Sequence, residues 1–196
     1  VFMVIKKFFF NFIVILLLIS CAKEKVEKLD STLKNPYEVY KEGLKAWEKN
    51  DYFYAHKKFA EAELLFTDPN KSAKSAVMSS YSLYAINFYD EALENILNFL
   101  KLYPVDDHAP YIHYLKAIIY YEQIGDEKKD VAPLIKADEQ INFFLKKYPN
   151  SEYAVDLKFK KGLIKNQLAA KEMYVAKYYV QVQKWVPAIN RLKKIL

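Results

Sequence analysis

The chain has 196 residues, 53% hydrophobic and 16% aromatic, with a formal net charge of +6. That is ample apolar material for a buried core, so disorder is excluded for most of the chain. Three glycines argue against glycine-rich nucleotide loops and tight hairpins, one cysteine excludes an internal disulfide, and three scattered histidines are too few for most metal or acid–base sites.

The first element in chain order is a targeting segment. Residues 1–21 read VFMVIKKFFFNFIVILLLISC: two lysines, a mainly apolar run from Phe8 to Ile19, a small residue and then Cys21. The run is shorter than the roughly 20 apolar residues of a membrane-spanning helix and has the layout of a secretory signal. Leu18-Ile19-Ser20-Cys21 resembles the bacterial lipobox, in which the cysteine thiol is diacylated, the signal is cleaved and the new N-terminus is acylated. The alternative is an ordinary signal anchor with an incidental cysteine. The expectation is a lipoprotein signal peptide over 1–20 and lipidation at Cys21, with each buried acyl CH₂ contributing ~0.8 kcal/mol to anchoring. Ala22, in place of an Asp after the cysteine, is compatible with export to an outer membrane. Loss of Lys6 and Lys7 leaves a charge of about +4, mildly basic and not a nucleic-acid signature. The chain opens on Val1, so either a non-Met start codon has been translated literally or Met3 is the start. Residues 21–35 are charged and lack aromatics; they read as a flexible tether.

From Pro36 the sequence repeats. Pro69, Pro104 and Pro149 each close an apolar-periodic segment, and a small–aromatic pattern recurs between them. Gly43 is followed by Ala55, Phe59 and Ala62; Ser80 is followed at the same spacing by Ala92, then Ile96 and Phe99. This resembles the tetratricopeptide repeat, a pair of antiparallel helices in which small residues permit close approach. Predicted helices are 36–49 and 53–66, turning at Asn50-Asp51; 73–86 and 90–103, turning at Asn87 with Asp90 as N-cap; then 110–123 and 135–148 around a long loop at 125–130. Helices near 151–168, 170–183 and 185–196 follow, with Pro187 in the first turn of the last. No stretch alternates with a strand period. The predicted fold is all-α, a right-handed superhelix of tetratricopeptide-like pairs over 36–196. Val186, Ile189, Leu192, Ile195 and Leu196 would form an apolar face without a partner helix. A solenoid end normally carries a polar cap, so the expectation is a missing C-terminal helix pair, or else a face buried in another protein.

These residues resemble the BamD (YfiO, ComL) family of outer-membrane assembly lipoproteins. The features are Asn35-Pro36-Tyr37-Glu38-Val39-Tyr40 at the domain start, Tyr148-Pro149-Asn150-Ser151-Glu152-Tyr153 after the third pair, and Val175-Ala176-Lys177-Tyr178-Tyr179, Trp185-Val186 and Asn190-Arg191 near the end. Family members continue for about one further helix pair. The resemblance implies a scaffold, not an enzyme, lipid-anchored on the periplasmic side of the outer membrane. Its implied partners are the periplasmic POTRA domain of a BamA-like barrel protein, other lipoproteins of the same complex, and unfolded outer-membrane proteins carrying an aromatic C-terminal signal. Arg191 falls where the family has an arginine facing a POTRA domain, with Trp185 and Asn190 flanking it; a solvated helix charge is the plainer reading.

The aromatics have two readings of their own. Thirteen Phe would satisfy a core, whereas seventeen Tyr suggest a surface built for stacking, because the ring is apolar and the tip polar. Tyr37, Tyr40, Tyr81 and Tyr84 are the groove candidates on pairs one and two, expected to hold an aromatic peptide tail.

Enzyme readings find no support. His108 and His113 are wrongly spaced for a metal pair on a helix, His56 beside Lys57 and Lys58 reads as solvated, and there is no GxSxG, HExxH or P-loop motif. No cofactor, metal or catalytic residue is expected. Lys57, Lys58, Lys146, Lys147, Lys158, Lys160, Lys161, Lys193 and Lys194 read as solvated faces, so no nucleic-acid partner is expected either. The alternative function is a repeat lipoprotein that organises the envelope or cell wall.

Overall fold

The computed structural model describes residues 34–125 and 131–195. The signal segment, Cys21 and nearly all of the tether lie outside the described residues. The helical unit begins at Asn35. Among the described residues there are eight helices and no strands: α1 (Pro36–Glu48), α2 (Tyr52–Leu65), α3 (Pro69–Ala85), α4 (Tyr89–Leu102), α5 (Ala109–Glu122), α6 (Ala132–Lys147), α7 (Tyr153–Gln181) and α8 (Trp185–Leu192). Consecutive helices pack on one another, and the first helix of a pair also touches the first helix of the next, α3 on α5 and α5 on α7. The fold is all-α and tetratricopeptide-like.

Local chemistry sets the boundaries. Asn35 caps α1 by accepting the Tyr37 N–H at 3.0 Å, and Pro36 opens the helix where its missing donor costs nothing. Asp51 and Asp68 cap α2 and α3 in the same way, at 3.1 Å from Tyr54 N and 3.0 Å from Asn70 N. The turns within the first two pairs are made by Asn50 and Asn87, at φ of 60° and 61°, a left-handed conformation that Asn adopts more readily than most residues.

Four predicted boundaries need correction. Helix α3 starts at Pro69 rather than 73, because Asp68-Pro69 is itself a cap and first turn. Phe88, not Asp90, occupies the N-cap of α4; Asp90 sits in the first turn, where its charge suits the helix dipole. The two helices expected over 151–168 and 170–183 are one 29-residue helix, α7. Helix α8 ends at Leu192, short of 196.

The repeat alignment is the core. Ala55, Phe59 and Ala62 on α2 are fully buried, as are Ala92, Ile96 and Phe99 on α4 and Ala137, Ile141 and Phe144 on α6. Each triplet fills the seam between its own pair and the next. The small partner recurs too: Gly43, Ser80 and Ala117 are all buried on the first helices. Helix α3 is sandwiched between α2 and α4, which is why it buries five serines: a serine is nearly as small as alanine. Ser75 Oγ donates to Lys71 O at 2.8 Å and Ser80 Oγ to Ala76 O at 2.9 Å within the helix, while Ser79 Oγ finds its partners on the neighbouring helices, at His56 and Asn95.

Candidate functional site

Most of the seventeen tyrosines are half-buried, whereas the phenylalanines split between the core and the surface, with Phe53, Phe88, Phe143 and Phe159 exposed. Phe59, Phe99 and Phe144 are the largest fully buried side chains, while no tyrosine is fully buried. Tyrosines collect along the first helices of the pairs, the helices whose exposed faces line the concave surface of such repeats.

The four groove candidates do not form one cluster. Tyr37 and Tyr40, on the first turns of α1, line a pocket of about 200 Å³ with Phe66, Lys71 and Lys74. Tyr37 meets Phe66 edge-on at 5.2 Å between centroids, and Tyr40 rests on Phe59 at 5.2 Å. Lys71 Nζ lies 4.8 Å from the Tyr37 ring centre and hydrogen-bonds its hydroxyl. The pocket therefore has an aromatic floor and a rim with two ammonium groups.

Tyr81 and Tyr84 lie ten and more residues further along α3, roughly 15 Å at 1.5 Å per residue. There they belong to a longer aromatic seam. Trp47 on α1 meets Tyr81 at 6.2 Å, Tyr81 meets Tyr84 at 6.0 Å, and Tyr84 meets Tyr89 at 6.2 Å. Tyr111 and Tyr114 on α5 continue it to Tyr153 on α7, Tyr114 stacking on Tyr153 at 4.7 Å. Burial pushes the hydroxyls of Tyr84, Tyr111 and Tyr114 up from their usual range, and for Tyr111 the neighbouring Tyr81, Tyr153, Tyr114 and Tyr84 add to the shift. Tyr114 donates to Asp156 Oδ2 at 3.0 Å, and Lys160 holds the other carboxylate oxygen at 2.7 Å. The seam thus offers half-buried rings with neutral hydroxyl tips, able to stack on apolar or aromatic groups and to donate to peptide carbonyls. Sequence reasoning missed Tyr111, Tyr114 and Tyr153; they meet Tyr81 and Tyr84 only through the stacking of α3, α5 and α7.

At the other end of the chain, Gln183 at φ 55° turns α8 back along α7, and Ala188 and Ala176 bury the contact. Trp185, Val186, Ile189 and Asn190 are exposed on α8. Arg191 points towards α7, where its Nη1 donates to both carboxylate oxygens of Glu172, at 3.2 and 3.1 Å. Arg191 retains 37% of its side-chain exposure.

Two histidines depart from expectation or acquire partners. His56 is not on a solvated face: it is half-buried, its Nδ1 lies 2.9 Å from Ser79 Oγ, and burial pushes its pKa down. His113 lies against Phe143 and Tyr148, and burial, with Lys147 and Lys116 nearby, holds it down to about 4. Lys58 is likewise no free surface charge; it pairs with Glu42 at 2.7 Å. Among the described residues no group of His, Cys, Asp and Glu could hold a metal ion, and no helix is long and apolar enough to cross a membrane.

Comparison with known proteins bears on the same residues. A family model described as "YfiO: Outer membrane lipoprotein" matches residues 33–196. The chain is 34% identical over 158 residues to the outer membrane protein assembly factor BamD of Caulobacter vibrioides, covering 81% of this chain and 52% of the relative. It is 28% identical over 158 residues to the BamD of Rickettsia prowazekii, covering 81% of this chain and 63% of that relative. The BamD of Neisseria gonorrhoeae is 25% identical over 194 residues, 92% of this chain and 73% of the relative. The chain spans about half to two thirds the length of the first two relatives. With a helical repeat that starts at Asn35 and a family match running from residue 33 to 196, the chain belongs to the YfiO family of outer membrane lipoproteins.

Proposed function

We propose that this protein is a scaffold lipoprotein of the machinery that assembles β-barrel proteins in the outer membrane. It is held at the periplasmic side by acylation of Cys21, contacts the POTRA domain of a BamA-like partner near α8, and helps to receive unfolded outer-membrane proteins. Family membership and the assembly-factor names of the relatives support the assembly role. The observation that carries substrate receipt is the run of half-buried tyrosines from Tyr81 to Tyr153, with the Tyr37–Tyr40 pocket at the start of α1. An extended segment rich in aromatic side chains suits such a surface, and a chain-terminal carboxylate suits the Lys71–Lys74 rim of the pocket. Arg191, Trp185 and Asn190 supply the partner contact: an arginine fork for a carboxylate beside exposed apolar surface.

The test is peptide binding by fluorescence anisotropy, using a labelled peptide that ends in an aromatic residue. Tyr40→Ala and Tyr84→Ala should each weaken binding on the order of tenfold, as loss of a stacking ring does at other interfaces, with unchanged far-UV circular dichroism. Equal affinity for all three proteins would dismiss the groove. Co-purification of the barrel partner from detergent-extracted envelopes, lost with Arg191→Glu, tests the scaffold arm. Failure to recover the partner with the wild type would favour an envelope-organising lipoprotein.

A further inference from the structure

We infer that Glu172 is a positioning residue for Arg191, holding the guanidinium so that a partner carboxylate can dock on the edge that Glu172 leaves open. The inference rests on the proposed use of Arg191 as a partner contact and adds the residue that prepares it. Glu172 and Arg191 stand 19 residues apart in sequence, on α7 and in the last turn of α8, and meet because the left-handed Gln183 folds α8 back on α7. Guanidinium has five N–H donors in a planar fork. Both contacts to Glu172 come from Nη1 alone, at 3.2 and 3.1 Å. The edge formed by Nε and Nη2 is the geometry that takes a second carboxylate by two parallel hydrogen bonds.

Charge and exposure point the same way. Glu172 is only 22% exposed, whereas Arg191 is 37% exposed, so the carboxylate is the more buried partner of the pair. Lys194 Nζ also approaches Glu172, at 3.7 Å. One carboxylate therefore serves two cations, and the local charge remains positive after pairing, as an acidic partner requires. An unrestrained arginine would have to give up its rotamer freedom on binding; one already held by Glu172 gives up less. Trp185 and Val186, 59% and 69% exposed, supply apolar area on the same short helix.

The experiment uses the full chain and the soluble POTRA segment of its barrel partner, with Kd measured by calorimetry for wild type, Glu172→Gln, Glu172→Asp, Arg191→Ala and the Glu172→Gln/Arg191→Ala double variant. Glu172→Gln should weaken binding on the order of tenfold, Glu172→Asp should recover part of that loss, and the double variant should bind no worse than Arg191→Ala alone. Unchanged helicity and melting temperature in Glu172→Gln separate positioning from support of the fold. Wild-type affinity in Glu172→Gln, with Arg191→Ala weakened, overturns the positioning role and leaves the interface standing. Tighter binding in Glu172→Gln overturns it as well, because Glu172 would then compete with the partner for the guanidinium. Wild-type affinity in Arg191→Ala removes the interface itself, and the positioning role with it.

Discussion

Gly43 is the position where one methyl group should be felt most sharply. A Cβ built there would lie 2.8 Å from Phe59 Cε1, 2.9 Å from Cδ1 and 3.2 Å from Cζ. Phe59 is fully buried in a cluster with Ala46 and Ala55, and Tyr40, Leu44, Trp47 and Met78 pack against that cluster, so the ring has little room to retreat. In an unconstrained helix, Gly→Ala is worth about 1 kcal/mol in favour of the alanine. Overpacking a buried seam costs about 1–3 kcal/mol, and contacts below 3.0 Å to a trapped ring belong in the upper part of that range. Gly43→Ala should therefore destabilise by ~1–2 kcal/mol, lowering the melting temperature by about 2–4 °C per kcal/mol for a domain of this size. Gly162 is the internal control: it lies in α7, and nothing comes within 4 Å of its added Cβ. Gly162→Ala should raise stability by ~0.5–1 kcal/mol. The assay is urea and thermal unfolding followed by circular dichroism, with Gly43→Ala/Phe59→Leu added to make room for the methyl. The double variant should be more stable than the sum of its two single effects. Gly43→Ala at or above wild-type stability, or a double variant that is simply additive, would refute the close-approach argument.

Two further predictions come from single residues. Asn87→Val forces a β-branched residue to φ 61° and removes the acceptor of the Tyr89 hydroxyl, 2.8 Å away; it should cost ~1–2 kcal/mol in urea unfolding, whereas Asn87→Gly should be close to neutral. His113 is held down to about 4 against 6.5 for an ordinary histidine, so folding favours the neutral ring. Its contribution to stability is complete above about pH 6.5 and is lost as the pH falls towards 4. His113→Phe keeps an aromatic ring against Phe143 and Tyr148 and should flatten that part of the stability–pH curve; an unchanged slope would contradict the buried neutral histidine.

What could be read from the sequence follows from which contacts have a local signature. Gly43, Ala55, Phe59 and Ala62 recur as Ser80, Ala92, Ile96 and Phe99 because every helix pair must solve the same close-packing problem, so the repeat is written into composition at fixed spacing. Asn50-Asp51 and Asn87 announce turns by their own side-chain chemistry. The unbroken α7 shows the converse: Leu168-Ala169-Ala170 has no proline, glycine or cap, so the helix runs on where the repeat period predicts a turn. The tyrosine seam was half legible. An excess of tyrosine over phenylalanine flagged a surface, yet Tyr81 and Tyr111, or Tyr114 and Tyr153, are neighbours only after α3, α5 and α7 have stacked. The Glu172–Arg191 pair was illegible in the same way, because it depends on the left-handed Gln183.

The unbroken length of α7 has a mechanical consequence. At 1.5 Å per residue its 29 residues span about 43 Å. Tyr153 and Asp156, at one end of the rod, close the tyrosine seam; Glu172, roughly 28 Å further on, grips the guanidinium of Arg191. A tilt of the rod at its first turns would swing the α8 platform by the same angle, as a lever carries motion from one arm to the other. The tyrosine seam and the Glu172–Arg191 pair are thereby carried on one continuous helix rather than on two joined by a turn.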